Sequence, residues 1–236
     1  MKLGAVSCAF HVESRWKGLE MIVLVGNTKG GVGKTTLAVQ MAIARARAGR
    51  RVWLVDGDSQ ATAQAAIQIR AEAGLEPEIV CSLYPDGKIL RQQVRLQKDN
   101  YDDVILDVGG RDTLALRAGL SLADVALVPF APESFDLWAM QNMADVVDEI
   151  GAERDGLVTY AVLNKAEARS ASVDNADAAE AVQEIPTFTY LDLPLVKRKA
   201  FSSSSGAGMG VAEQSPVDPK AIAELDRLVA RVFEEA

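Results

Sequence analysis

The clearest candidates for chemistry in this sequence are the glycines and lysines of one short segment, Asn27–Thr36, which reads NTKGGVGKTT. Its glycines let the backbone turn tightly and bring N–H groups close to an anion. The segment follows a strand-like apolar run and opens a helix-like stretch, which is the context that a phosphate-binding loop requires. The predicted nucleotide-binding residues of this loop are Lys29, Gly30, Gly31, Val32, Gly33, Lys34, Thr35 and Thr36.

Two residues of the loop have predicted roles beyond binding phosphate through the backbone. Lys34 is expected to reach the β- and γ-phosphates of ATP, and the hydroxyl of Thr35 is expected to bind Mg²⁺. The common form of the motif has a glycine five residues before Gly33, but Thr28 stands there. The segment is therefore the variant KGGxGKTT, in which Lys29 is an additional lysine at the front.

Three aspartates follow apolar runs, and two of them, Asp58 and Asp107, are the candidate partners of the metal ion. Asp107 ends the run VILD, and we expect it to hold Mg²⁺ through water, although an aspartate in a plain strand-end turn fits the same pattern. Asp56 and Asp58 lie two residues apart in VDGDSQ. They can face one crevice only if the strand has already given way to a loop; otherwise they are solvated turn carboxylates.

Short apolar runs with little alternation must position these residues, as is typical of strands buried on both faces. Helix-like stretches separate the runs, which predicts an α/β P-loop fold in one domain, with a mostly parallel twisted sheet and helices on both faces. The predicted strands are Met21–Gly26, Arg51–Asp56, Glu78–Cys81, Asp103–Asp107, Asp124–Phe130, Leu157–Leu163 and, more weakly, Thr187–Tyr190. The predicted helices are Thr35–Ala48, Ala61–Ala73, Ile89–Lys98, Asp112–Leu120, Glu133–Ile150, Ala171–Val182 and Asp218–Glu235.

The two ends of the chain and one serine-rich segment are interpreted separately. Residues 1–20 have no clear period, and they read either as an accessory tail or as an over-extended start before Met21, with 21–236 as the domain. Ser202–Gly210, which reads SSSSGAGMG, predicts a flexible loop. The last helix carries its apolar residues on one face and ends in two glutamates, which favours packing on the core over a membrane anchor.

Composition narrows the class of protein. The 236 residues contain 49% hydrophobic and 25% charged residues, as expected of a globular protein, and no run is long enough to span a membrane. Two cysteines without metal or redox spacing fit a cytoplasmic location. A net charge of −8 argues against a protein that coats nucleic acid over its whole surface, but it allows a local basic patch.

Taken together, these motifs resemble the ParA/MinD family of deviant Walker ATPases over residues 21–236. VDGDSQ is similar to the family's DxDPQ segment with Ser59 in place of proline, VILD resembles its Walker B strand, and Leu193–Glu213 is similar to its C-terminal nucleotide-side segment. One departure is the turn VGGRD after the Walker B strand, where the family often has Thr-Pro-Pro. The resemblance implies a slow ATP hydrolase that uses Mg²⁺.

The resemblance also implies roles for individual residues. Lys29 matches the lysine that reaches across a two-fold axis to the ATP of the partner subunit, so it implies an ATP-dependent homodimer. Asp58 lies where a switch residue sits near Mg²⁺ and orients the attacking water, whereas Asp56 supports the loop. Asn164 and Pro194 lie where adenine contacts are expected, although each also fits a plain turn.

A basic run implies the partner macromolecule. Lys197, Arg198 and Lys199 lie where short ParA proteins present basic residues to DNA, and two subunits together would bind phosphates without sequence preference. The implied function is segregation of plasmid or chromosomal DNA, with the protein on the nucleoid and a ParB-like adaptor stimulating hydrolysis. The alternatives are the same ATPase positioning a protein assembly, such as a chemoreceptor cluster or carboxysome, or a MinD-like or DNA-independent regulatory switch.

Overall fold

A single parallel β-sheet organises the molecule. The structure, a computed structural model, describes residues 21–110, 113–168 and 172–234. The sheet has seven strands in the order β3-β2-β4-β1-β5-β6-β7, and every pair is parallel. Residues 1–20, with the predicted tail, lie outside the described residues, as do Arg111 and Asp112 of the VGGRD turn.

The central strands form where the sequence has apolar runs, since both faces of the sheet are covered. Every residue of β1, β2, β4 and β5 is buried, which explains the lack of alternation in these runs. The strands are β1 Met21–Val25, β2 Val52–Asp56, β3 Val80–Leu83, β4 Asp103–Asp107, β5 Val125–Phe130, β6 Val158–Ala166 and β7 Thr189–Val196.

The helices form two layers and two apolar cores. One core lies between the sheet and the helices α1, α2 and α8, and the other lies between the sheet and α3 to α6. The helices are α1 Lys34–Arg47, α2 Thr62–Glu72, α3 Gly87–Gln97, α4 Leu114–Leu120, α5 Leu137–Gly151, α6 Val173–Gln183, α7 Lys199–Gly206 and α8 Pro219–Glu234. The predicted fold class is therefore confirmed.

The last two strands run further than the sequence predicts. The predicted ends were Leu163 and Tyr190, but β6 continues to Ala166 and β7 continues to Val196. Pro194 therefore lies inside a strand rather than at the start of a loop. An edge strand tolerates proline, because one of its sides needs no ladder hydrogen bonds, and β7 is the edge of this sheet.

The predicted flexible loop at Ser202–Gly210 is wrong over its first half, which belongs to α7. The hydroxyls of Ser203 and Ser204 donate to carbonyls one turn earlier, at 2.8 and 2.7 Å. The buried amide of Gln40 on α1 then donates to the hydroxyl of Ser204 at 2.9 Å and to the carbonyl of Met209 at 3.0 Å. A buried polar partner 164 residues away in the sequence therefore holds the serine-rich segment in place. Local composition does not reveal such a partner.

The C-terminal helix packs on the sheet, as its pattern predicts. Leu225, Leu228, Val232 and Phe233 are all buried in the core that α8 shares with α1. Among the helices of the described ranges, none is both long and apolar enough to cross a bilayer.

A buried ionic cluster closes the bottom of the sheet, at the start of β4. Asp103 is fully buried and accepts from Arg45 at 2.8 and 3.2 Å, and Arg50 approaches the same carboxylate at 3.4 Å. The Arg45 guanidinium also lies 4.2 Å from the centre of the Phe233 ring. The arginines near the end of α1 thus connect β4, α1 and α8, in addition to lying favourably at the C-terminal end of the helix dipole.

Replacing Asp103 with asparagine removes the charge that both guanidinium groups share. Because breaking a buried pair is costly, we expect Asp103→Asn to lower the free energy of unfolding by about 3 kcal/mol in urea titrations followed by circular dichroism. Asp102→Asn is the matched control, since Asp102 pairs with the exposed Arg51 and such pairs contribute about 1 kcal/mol or less. Equal losses in the two variants would contradict this role of Asp103.

Candidate functional site

The carboxyl ends of the central strands bring the candidate residues together. Val25 and Asp107 are register partners in β1 and β4, and Asp56 and Asp107 are register partners in β2 and β4. The loops that follow these three strands therefore meet at one edge of the sheet. This edge is where ligands bind in open α/β folds.

The glycine-rich loop is held in place by side chains that the sequence analysis did not assign. Asn27 is fully buried; its amide donates to the carbonyl of Pro129 at 2.9 Å, and its oxygen accepts from the N–H of Lys29 at 2.9 Å. The hydroxyl of Thr28 donates to the carbonyl of Ala139 at 3.0 Å, so the unusual threonine links the loop to α5. A polar residue directly after an apolar strand was the only available signal for Asn27.

The loop ends in a left-handed residue, and α1 starts there. Gly33 has φ of 91° and occupies the N-cap position of α1. Its N-cap offers no side-chain hydrogen bond, so the first N–H groups of the helix are open to an anion. A side chain at Gly33 would also lie 2.5 Å from the amide of Asn164. Glycine is therefore required at this position by both conformation and space.

Lys34 is enclosed at the centre of the site. Its Nζ donates to the carbonyl of Lys29 at 2.9 Å, and burial lowers its pKa against the opposing effect of Asp107 and Asp58. The turn after β4 closes over it: a Cβ on Gly110 would lie 2.9 Å from that Nζ, and a Cβ on Gly109 would lie 2.8 Å from a carboxylate oxygen of Asp58. The two glycines of the divergent VGGRD turn thus let its backbone lie close to Lys34 and Asp58.

Strand β2 ends at Asp56, as the prediction of a shared crevice requires, but the two carboxylates have different surroundings. Asp56 is fully buried and accepts from the N–H groups of Asp58 and Gln64, each at 3.0 Å. Burial nevertheless raises its pKa. Asp58 lies in the loop, beside a cavity of about 450 Å³ that Ser59, Gly109 and Thr113 also line. Asp56 therefore supports the loop, and Asp58 faces open space.

Asp107 is a buried carboxylate with an unused oxygen. It is almost completely buried, its Oδ2 has no hydrogen-bond partner among the described residues, and the side chain of Thr35 hydrogen-bonds to the group. Burial raises its pKa to about 7, and the charge of Asp56 adds to this, whereas Thr35 and Lys34 oppose it. An oxygen of this kind next to a threonine hydroxyl fits Mg²⁺, which prefers such ligands together with phosphate oxygens.

Lys29 lies at the exposed front of the loop. Its Nζ pairs with Asp136 at 3.2 Å, and both side chains are more than a third exposed. The Lys29 side chain holds the pKa of Asp136 below its usual range. The pair is at the surface, so Lys29 can exchange this partner for another at little cost.

The two predicted adenine contacts, Asn164 and Pro194, differ in their position relative to the loop. Asn164 lies beside the loop, and its amide donates to the carbonyl of Val32 at 2.8 Å. Asn164, Gly33 and Leu37 line a cavity of about 210 Å³, but Pro194 does not. Lys165, with φ of 55°, also lines this cavity and donates to the carbonyl of Gly31 at 2.5 Å.

The basic run after β7 is partly engaged within the chain. Arg198 donates to Glu224 at 2.7 Å and lies 3.7 Å from Asp218, while Lys197 pairs with Glu133 at 2.7 Å in an exposed contact. Lys199 is exposed at the first turn of α7. The three side chains thus differ in how available they are to a partner.

Two aromatic side chains, Phe135 and Trp138, lie between the end of β5 and the first turn of α5, and their surroundings differ. Phe135 packs against Phe130 with ring centres 5.9 Å apart, so it belongs to the core. Trp138 is 82% exposed on the first turn of α5, close in sequence to Asp136.

The raised pKa of Asp107 predicts how stability depends on pH without ligands. An unfolded aspartate has a pKa near 3.9, so between about pH 4 and 7 the folded chain keeps a proton that the unfolded chain has released. The free energy of unfolding should therefore fall as pH rises through this window, on the order of 3 kcal/mol from this group. Urea titrations from pH 4 to 8 in a chelator measure it.

Asp107→Asn removes this group and should flatten the profile. Some slope should remain, because burial also raises the pKa of Asp56. Parallel profiles for the wild type and the variant would contradict the buried, proton-retaining state of Asp107.

Comparison with known proteins places this geometry in a family. Residues 23–211 match the CobQ/CobB/MinD/ParA nucleotide binding domain. The chain is similar to the maintenance of carboxysome distribution protein A of Halothiobacillus neapolitanus, at 31% identity over 62% of this chain and 67% of that protein. It is also similar to the chromosome-partitioning ATPase Soj of Thermus thermophilus, at 30% identity over 55% of this chain and 62% of that protein.

The fold agrees with a solved structure. An ATP complex of a Cyanothece McdA variant superposes with a TM-score of 0.75 and 15% identity, covering 92% of this chain and 98% of that one. The alignments to the two sequence relatives span about two thirds of those proteins or less. The family match covers most of the described residues and includes the complete glycine-rich loop. The chain therefore belongs to the CobQ/CobB/MinD/ParA nucleotide-binding family, as a P-loop ATPase of the ParA/MinD type.

Proposed function

We propose that residues 21–236 form an ATPase domain that dimerises on Mg-ATP, and that Lys29 of each subunit completes the site of the other. The position of Lys29 carries this proposal. It stands at the outer end of the loop, paired only at the surface with Asp136, whereas Lys34 is enclosed within its own subunit. A cation delivered by a second subunit stabilises charge in phosphoryl transfer only after assembly.

Within one subunit, the proposed roles follow from burial and contacts. Thr35 and Asp107 hold Mg²⁺, which when bound neutralises charge on the phosphates. Lys34 leaves the carbonyl of Lys29 to bind the β- and γ-phosphates. Asp58, which lines the cavity beside the loop, would orient the attacking water and help to hold Mg²⁺. The amides of the loop bind the remaining phosphate oxygens.

The base and ribose are proposed to occupy the cavity between α1 and the ends of β6 and β7. Asn164 supports this assignment by lining that cavity next to the loop. Pro194 does not line this cavity, but it precedes Leu195 of the lining in β7, and its proposed contact with the base is made from there. Lys165 joins the proposal because it lies against Gly31 at the boundary between loop and cavity.

The dimer is proposed to bind DNA without sequence preference through Lys197 and Lys199, and a ParB-like adaptor stimulates hydrolysis. Arg198 contributes mainly by fixing the segment, because its guanidinium is held by Glu224. The cargo is DNA in this proposal, and the protein would be found on the nucleoid in the cytoplasm. The similarity to a protein of carboxysome distribution favours, as the second candidate, a protein assembly carried by the same ATPase.

A regulatory switch that acts without DNA, or on a membrane as in MinD, is the third possibility. The packing of α8 on the core argues against a membrane role for that helix. The DNA assays below separate this possibility from the first two.

The dimerisation proposal predicts a selective loss in Lys29→Ala. Light scattering should show a dimer with Mg-ATP but a monomer with Mg-ADP or without nucleotide, and Lys29→Ala should remain monomeric while still binding a fluorescent ATP analogue. Lys98→Ala is the control, because Lys98 is an exposed lysine paired with Asp99 after α3. A Lys29→Ala variant that dimerises normally would overturn the proposed role.

The DNA proposal predicts the effect of removing the two available lysines. In Mg-ATP gel shifts, Lys197→Ala/Lys199→Ala should bind random duplex DNA at least about tenfold more weakly and with a shallower salt dependence, since fewer phosphates are neutralised. Because Lys197 also lines the cavity assigned to the base and ribose, the fluorescent ATP analogue must bind this variant as it binds the wild type. Arg91→Ala/Arg95→Ala changes two exposed arginines of α3 instead and should bind DNA normally. If the wild type shifted no DNA in any nucleotide state, the DNA-based mechanism would be wrong.

A further inference from the structure

A groove lies between α3 and α4 and is bounded by the end of α5. Its volume is about 660 Å³, and its lining includes Gly87, Leu96, Leu114, Ala118 and Ile150. The roles proposed above use none of these residues. Leu96 and Leu114 stand out, because their side chains are 74% and 77% exposed. Exposed large apolar side chains that line one depression are a common mark of a protein-binding surface.

Basic residues surround this apolar lining. Lys88, Arg91 and Arg95 recur at intervals of three and four along α3, so they share one face of the helix, and Arg117 faces them from α4. Glu153 is the one acidic residue of the lining. Arg117 pairs with Glu149 at 2.6 Å, whereas Arg91 and Arg95 are exposed and make no ion pair within the described ranges. This strip is strongly positive in a chain whose net charge is −8.

We propose that this groove binds an acidic amphipathic helix of a partner protein. Apolar side chains of the partner would cover Leu96 and Leu114, and its carboxylates would pair with Arg91 and Arg95. This is the helix-in-groove mode of recognition, in which an apolar stripe supplies affinity and charges fix orientation. Duplex DNA fits the surface less well, because its phosphates would leave the two leucines uncovered.

The position of α4 connects this groove to the catalytic side of the molecule. A Cβ on Gly87 would lie 2.2 Å from the carbonyl oxygen of Leu114, so the first turns of α3 and α4 touch through their backbones. Thr113, the N-cap of α4, lines the cavity beside Asp58 and Gly109, while the next residue, Leu114, lines the groove. A partner that moves α4 would therefore alter the turn that covers Lys34 and Asp58; this consequence rests on the proposed function, whereas the binding itself does not.

A synthetic peptide tests the binding without nucleotide. The probe is a fluorescein-labelled 18-residue helix with leucines on one face and glutamates on the other, and a scrambled peptide of the same composition serves as the reference. Fluorescence anisotropy with the full chain at about 0.1 M salt should show binding of the amphipathic peptide and at least about tenfold weaker binding of the scrambled one. Hydrogen exchange should show protection in α3 and α4.

Charge reversal on the groove then localises the interaction. Arg91→Glu/Arg95→Glu should weaken peptide binding at least about tenfold, and Lys220→Glu/Arg227→Glu, which makes the same charge change on the exposed face of α8, should not. Leu96→Ser/Leu114→Ser should weaken binding without changing the net charge. Circular dichroism checks that each variant is folded.

Three results would overturn the proposal: no binding of the amphipathic peptide by the wild type, equal losses in the α3 and α8 variants, or protection outside α3 and α4. Loss of duplex DNA binding in Arg91→Glu/Arg95→Glu with peptide binding intact would assign the strip to DNA instead. Because the assay needs neither ATP nor a dimer, a failure of the proposed ATPase cycle would leave its outcome readable.

Discussion

The carboxylate of Asp107 is the constraint on which the site depends. A buried acid with an unused oxygen costs folding free energy, and two further aspartates lie at the same edge of the sheet. The charge of Lys34 opposes the rise in the pKa of Asp107, but desolvation by burial outweighs it. The two apolar cores around the central strands provide the stability that such a site requires. A divalent cation with phosphate would supply the missing partners, which makes ligand binding and stability two aspects of one electrostatic imbalance.

The same electrostatic imbalance explains why the loops at this edge of the sheet have different roles. Asp56 uses both carboxylate oxygens to hold backbone N–H groups, so the loop after β2 keeps its shape with Asp58 facing the cavity. Gly109 and Gly110 let the turn after β4 lie directly against Asp58 and Lys34. In the proposed cycle, phosphates draw Lys34 away from the carbonyl of Lys29 and would rearrange this turn. Thr113 lines the cavity beside Asp58 and is the N-cap of α4, so α4 would respond to the same change.

What could be predicted from sequence follows the range of the interactions. Most strands and helices depend on local apolar patterns, and the loop motif depends on adjacent residues, so they are predicted to within a few residues. The edge strand β7 is an exception, since it ends at Val196 and not at Tyr190. The α7 helix, the role of Asn27 and the engagement of Arg198 depend on partners between 26 and 164 residues away. Local composition at the serine-rich segment favours a loop, and long-range contacts such as that of the buried amide of Gln40 reverse that preference.

Charge distribution decides what an acidic chain of this kind can bind. Arg45 and Arg50 meet Asp103 in the interior, Arg70 is buried against Glu213 at 2.8 Å, and Arg198 is held by Glu224. Such buried pairs stabilise the fold but contribute little to the electrostatic potential outside the protein. The net charge therefore does not show where the remaining exposed positive charges are concentrated. Two of the places where exposed basic side chains lie are the segment of Lys197 and Lys199, beside the cavity between α1 and the ends of β6 and β7, and the outer face of α3. In the two binding proposals, these places recognise different acidic partners, one through phosphates and the other through carboxylates.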